Sequence, residues 1–178
     1  MVLTTSGMIG LTGLNDSGVG VCVNALLDLT PSAAGLPVAF VIRGLLACRS
    51  LRATSEFLEA ITHASGQNYL VGSPEGLLDL ECSAGGTRVV EAVADRIIHT
   101  NHPLANDDLA TDRPKVRAAT QRAQRPPSTT RERYGALAAG VVEREDPLTV
   151  ESLQEVLADR SAPVSVPRRA SSASTPPA

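Results

Sequence analysis

Gly7-Met8-Ile9-Gly10-Leu11-Thr12-Gly13-Leu14-Asn15-Asp16-Ser17-Gly18-Val19-Gly20-Val21-Cys22-Val23-Asn24 is the stretch that decides the fold. Two apolar runs, Met8–Leu14 and Val19–Leu27, flank Asn15-Asp16-Ser17-Gly18. Asn, Asp and Gly tolerate the positive φ that a tight turn needs, so the stretch predicts a β-hairpin. Downstream the period changes. Pro37 suits a first helical turn, and Val38, Val41, Ile42, Leu45 and Leu46 recur at helical spacing, which predicts a helix to about Cys48. A second helix is expected from about Ala53 to His63, with Phe57, Leu58 and Ile61 as its apolar stripe.

Beyond Gly66 the pattern is again of the β type. Gln67–Gly72, Gly76–Cys82, Thr87–Ala92 and Ile97–Thr100 are short runs separated by Ser-Pro-Glu-Gly, Ser-Ala-Gly-Gly and Ala-Asp-Arg, which reads as an antiparallel meander of four strands. Residues 103–128 are polar and rich in Asp, Arg and Pro, and are expected to form a mobile loop. Thr129 or Thr130 can cap a helix running to about Glu145, and Thr149 with Ser152 opens another short one. The Ser/Pro/Ala/Arg-rich stretch over 163–178 is expected to be a disordered tail. Hairpin, two helices, meander and helices in that order define an α+β class, in which helices cover antiparallel sheets.

Composition narrows the function. The 178 residues are 43% hydrophobic but only 2% aromatic, with no Trp, so the core is aliphatic. A surface that stacks bases on aromatic rings is disfavoured, and a net charge of −3 provides no electrostatic footprint for nucleic acid. No run of about eighteen apolar residues predicts a membrane span, and no basic segment followed by an apolar one predicts a secretory signal. Cys22, Cys48 and Cys82 have neither disulfide nor zinc spacing, and are expected as buried structural thiols in a reducing compartment, the cytoplasm by default.

Three segments, in order, resemble the peptidase C45-like acyl-coenzyme A:6-aminopenicillanic acid acyltransferases. The first is the Gly7–Asn24 hairpin. The second is Gly35-Leu36-Pro37 and the helix after it. The third is His99-Thr100-Asn101-His102, similar to the family's H-T-N-H signature. A fourth, Ser165-Val166-Pro167-Arg168, resembles a Ser-Ile-Cys-Arg element with Pro167 in place of Cys. The resemblance implies an N-terminal-nucleophile (Ntn) fold, a four-layer αββα sandwich. It is expected to be incomplete here and to occupy residues 1–162. It also implies acyl transfer or hydrolysis at amide or thioester bonds of a small-molecule substrate, acyl-coenzyme A among the candidates.

In such enzymes an N-terminal Cys thiolate attacks the acyl carbonyl, its own α-amine serves as base, and polar donors stabilise the oxyanion. That Cys is expected several tens of residues before Gly7. Cys22 occupies a strand position that the family does not use for chemistry. The chain is therefore expected to be inactive alone, or to pair with a chain that carries the nucleophile; a non-catalytic binding or scaffold protein on the same fold is the rival reading.

The site residues follow from the same motifs. Asn101 can hydrogen-bond a developing oxyanion through its side-chain amide, or merely cap a strand end before Pro103. Asn24, at the end of the hairpin's second strand, is expected to face substrate, and Arg168 matches the family's active-site Arg. His99 and His102 form a His-x-x-His pair, but no carboxylate or third ligand stands at metal-binding spacing, so packing or loop hydrogen bonding is the expected role. No cofactor or metal is implied.

Overall fold

The computed structural model describes residues 2–3, 10–93, 95–111 and 129–159. Asn15 makes the hairpin turn. Its side-chain oxygen accepts from the backbone N–H of Ser17 and of Val19, each at 2.9 Å, and Gly18 takes φ +79°. This is an Asx-type turn closed by a residue free to adopt the left-handed region. The turn joins β2 (Thr12–Leu14) to β3 (Gly20–Ala25), and β1 (Val2–Leu3) pairs with the outer edge of β2. The Asn15 amide also donates to the carbonyls of Leu46 and Cys48, tying the turn to the end of the following helix.

Two helices separate β3 from its next partner. α1 (Val38–Leu45) starts at Pro37 and buries Val41, Ile42 and Leu45; α2 (Leu51–Ala60) is capped by Ser50, whose hydroxyl accepts from the Ala53 N–H at 3.2 Å. The second helix thus begins and ends earlier than the apolar stripe alone predicts, because the Ser50 cap sets its first turn. The chain then returns as β4 (Gln67–Ser73), β5 (Gly76–Ser83) and β6 (Gly86–Val89), so all six strands form one antiparallel sheet in the order β1 to β6.

Strand alternation gives that sheet two unlike faces. One carries Val21, Val23, Tyr69, Val71, Leu78, Leu80 and Cys82 against Val41, Ile42, Leu45 and Leu58 of the helices, and forms the aliphatic core. The other carries Cys22, Asn24, Asn68, Leu70, Asp79, Glu81 and Arg88. Cys22 therefore departs from the expectation of a buried thiol. It lies exposed on the face that α1 and α2 do not cover, whereas Cys82 on the core face is fully buried.

The meander has three of its four expected strands. Ile97–Thr100 forms none, and β6 ends at Val89, followed only by an isolated Val93–Arg96 bridge. The short turn-bounded run that suggested a strand is overridden by side-chain and backbone bonds that pull the segment from any ladder, as described below. Of the expected loop, residues 103–111 are described and are irregular; Leu109 bridges to Leu29. Thr130–Leu137 forms α3, shorter than predicted, and passes into a π-helical turn over Ala138–Val142. α4 (Val150–Ala158) carries a complete capping box between Thr149 and Ser152. The described residues thus form an α+β arrangement of one sheet with α1 and α2 on one face; they include no second sheet.

Candidate functional site

The polar face of the sheet is built from side chains that strand alternation would otherwise fill with Val or Leu. Asn24, Asn68 and Glu81 are direct cross-strand neighbours on β3, β4 and β5, with Asp79 two residues from Glu81. The Asn24 amide donates to Asn68 Oδ1 at 3.4 Å, and the Asn68 amide donates to Asp79 Oδ1. Asp79 is 1% exposed, and its Oδ2 has no partner among the described residues. Burial pushes its carboxyl up to about 6; the Asn68 bond and the nearby His99 work against that shift, and the Glu81 charge adds to it.

Glu81 has the opposite character. Its side chain is fully buried, yet four donors meet it: His99 Nε2 at 2.8 Å and the backbone N–H groups of Leu104 at 2.6 Å, Ala105 at 2.9 Å and Asn106 at 2.7 Å. Burial alone would raise this carboxyl, but the His99 bond and the three amides outweigh it and hold it below its ordinary value. The Asn106 side chain closes the arrangement by donating to the carbonyls of Glu81 and Gly86. These bonds account for the missing fourth strand: His99 turns its ring to Glu81, not to a sheet neighbour.

The two histidines of His99-Thr100-Asn101-His102 have separate partners. His99 Nδ1 faces the Thr100 carbonyl at 2.6 Å while Nε2 faces the Glu81 carboxylate, so each ring nitrogen lies against an acceptor. His102 Nδ1 lies 3.0 Å from the Thr100 hydroxyl and 3.2 Å from that of Thr130, and its ring meets Tyr134 edge-on at 5.5 Å. Desolvation, followed by the Arg131 charge, lowers the His102 pKa. Both rings are engaged in packing and loop hydrogen bonds, and no group of three or more His, Cys, Asp or Glu residues among those described is arranged to hold a metal ion.

Asn101 stands between them, exposed, at an irregular bend and not at a strand end. Its backbone N–H donates to the Thr130 hydroxyl at 2.7 Å, and its side-chain amide donates to the Ala25 carbonyl at 3.2 Å. Arg133 donates to Asn101 Oδ1 at 2.9 Å. An amide nitrogen carries two hydrogens, so one N–H beyond the Ala25 bond has no partner among the described residues. Because Ala25 follows Asn24 on β3, the structure brings Asn101 and Asn24 to the same strand end. Arg168 lies outside the described residues.

Sequence reasoning missed Glu81, Asp79, Asn68 and Asn106. A signal was present in Leu78-Asp79-Leu80-Glu81-Cys82: two acids at period two inside an apolar strand put both carboxylates on one face. Arg96 was missed as well; its guanidinium donates to the carbonyls of Val141, Arg144 and Asp146 and so anchors the π-helical turn.

A helix-backed antiparallel sheet, whose second face holds a buried amide–carboxylate row and an exposed Asn at the strand end, defines an α+β protein with a polar site on its sheet. The family model for acyl-coenzyme A:6-aminopenicillanic acid acyl-transferase matches residues 1–175, and the chain belongs to that family. No curated protein matches it. Among the described residues no helix is long and apolar enough to cross a membrane.

Proposed function

We propose that the chain provides oxyanion stabilisation in a cysteine Ntn acyltransferase or amidohydrolase, acting on a small amide or thioester acyl donor such as an acyl-coenzyme A. The observation that carries the reading is the placement of Asn101. It is an exposed amide on a segment anchored at both ends, beside Asn24 at the end of β3, in a chain of the acyltransferase family.

In this reading the nucleophile is an N-terminal Cys thiolate, a position that none of Cys22, Cys48 and Cys82 occupies. The thiolate forms a C–S bond to the acyl carbon, and the carbonyl electron pair moves onto oxygen. The Asn101 N–H directed away from Ala25 donates to that oxyanion, and Asn24 orients the acyl group. Collapse breaks the donor's C–N or C–S bond, with the proton returned to the leaving group by the nucleophile's α-amine. The acyl group then passes from sulfur to an amine or to water. Arg168, matched only through its motif, is proposed to contact the substrate. The fold in this reading is the αββα sandwich, with the polar face of the described sheet turned toward the second sheet.

The test compares residues 1–178 with the same reading frame extended upstream to its nearest Cys codon. Intact-mass measurement follows self-cleavage and acyl adducts, and acyl release is assayed on a panel of N-acyl amides and acyl-coenzyme A thioesters. The expected result is cleavage before that Cys, turnover only in the extended form, and a loss of about 10²–10³-fold in kcat for Asn101→Ala, the usual effect of removing one oxyanion donor. An extended chain that stays uncut and inert would overturn the catalytic reading in favour of the rival, a binding or scaffold role on this fold.

A further inference from the structure

The Glu81 carboxylate lies at the centre of the segment that presents Asn101, although the two side chains do not touch. Its four donors come from both sides of Asn101 in sequence: His99, two residues before, and the N–H groups of Leu104, Ala105 and Asn106, three to five residues after. The chain from 99 to 106 therefore closes a loop around one carboxylate, with Asn101 near its apex. No ladder or helix fixes this loop. What sets the position of Asn101 is the Glu81 anchor together with the bonds to Thr130 and Ala25 and the one from Arg133.

The residue type is as informative as the geometry. An ionised carboxylate is acceptor-only and offers about four lone-pair sites, which matches the four donors here. A Gln of the same shape would turn an NH2 group toward at least one of those N–H donors. Burying a charge at a fully desolvated position is costly unless it is paired and hydrogen-bonded. Glu81 meets that condition through His99 and the three amides. An apolar residue would fill the strand position without any such requirement, but it would leave the loop unanchored.

We propose that Glu81, acting with His99, is the positioning residue that sets where the Asn101 amide stands. This inference rests on the reading of Asn101 as the oxyanion donor. Glu81 does not contact substrate; its effect reaches the reaction only through the placement of residues 99–106. A displacement of about 1 Å at a reacting group can cost about 10²-fold in rate, so the anchor matters for turnover well beyond its own hydrogen bonds.

Two measurements test it. In the self-cleaved, active form, Glu81→Gln, Asn101→Ala and the double variant are compared by kcat and KM. The expected result for Glu81→Gln is a loss of about 10²-fold in kcat with KM within about threefold. The double variant is expected to be no slower than Asn101→Ala alone, because two residues that act as one unit are not additive. A Glu81→Gln enzyme as fast as wild type beside a crippled Asn101→Ala overturns the positioning role and leaves the Asn101 reading intact. Wild-type turnover in Asn101→Ala instead overturns the Asn101 reading and removes the basis of the inference.

The second measurement needs no turnover and uses the milder His99→Gln variant of residues 1–178. In ¹⁵N–¹H spectra the Asn101 side-chain amide is expected to shift and to exchange with solvent at least about tenfold faster, while the amides of Tyr69–Leu80 keep their wild-type positions. Asn101 resonances unmoved by the loss of the His99–Glu81 bond overturn the proposal even if Glu81→Gln fails to fold.

Discussion

At the scale of single residues, the three thiols show how environment and not identity decides chemistry. Cys82 lies fully buried on the core face, and burial pushes its thiol up to about 12; the Thr87 bond opposes this, and the Glu81 and Asp79 charges reinforce it. Cys48 is half-buried and also raised, chiefly by desolvation. Cys22 is exposed on the opposite face of the sheet. The thiolate is the reactive form, so access and pKa together rank the three. Under native conditions iodoacetamide is expected to label Cys22 first and Cys82 only after denaturation, as read by peptide mass spectrometry. Native labelling of Cys82 as fast as that of Cys22 would mean that the core face is open to solvent. The same contrast explains what the sequence could show of the site. Asn101 was legible because it sits in a motif; the period-two pair Asp79 and Glu81 marked a polar face, but nothing in it shows which backbone amides will fold over Glu81.

At the scale of elements, local chemistry made most of the fold readable. Asn15-Asp16-Ser17-Gly18 holds its turn through Asn15 and the positive φ of Gly18, and Pro37 and the Thr149–Ser152 box begin their helices where the sequence suggests. The Ile97–Thr100 segment failed as a strand because its fate is set by a carboxylate sixteen or more residues earlier in the chain, which periodicity cannot register. Long-range contact also explains Gly35. It packs where the bridge between Leu36 and His63 joins the entry of α1 to the exit of α2, and a Cβ there would lie 2.3 Å from the Ala64 nitrogen and the His63 carbonyl carbon. Those are backbone atoms, which cannot rotate away as a side chain can. Gly35→Ala is expected to destabilise the protein by about 3 kcal/mol, the upper end for forced overpacking, seen as a lower urea midpoint with an unchanged slope. A midpoint equal to wild type would show that the junction relaxes freely.

At the scale of the whole molecule, the two faces of the sheet contribute stability of different kinds. The aliphatic face against α1 and α2 contributes mainly through apolar burial, with the buried His63 beside Tyr69 as a titratable neighbour whose pKa burial lowers. The polar face is titratable, and its two acids act in opposite directions. Glu81, held below its ordinary pKa, adds stability that is present above the unfolded carboxylate value and is lost as pH falls through its folded value. Asp79, raised from 3.8 to about 6, adds stability that is full below the unfolded value and disappears as pH rises through about 6. Glu81 and His99 are the ionisable groups that face Asp79, and its Oδ2, without a partner among the described residues, is the atom where ionisation goes uncompensated. Asp79→Asn keeps an oxygen to accept from Asn68 but removes the ionisation. Whatever its absolute stability, the difference between variant and wild type should therefore move in favour of the variant between about pH 4 and pH 7. The shift converts to at most about 3 kcal/mol at about 1.4 kcal/mol per pK unit. Urea denaturation of both proteins across that range measures it. A stability difference that stays flat with pH would show that Asp79 titrates as it does in the unfolded chain, and that the buried row is reached by water.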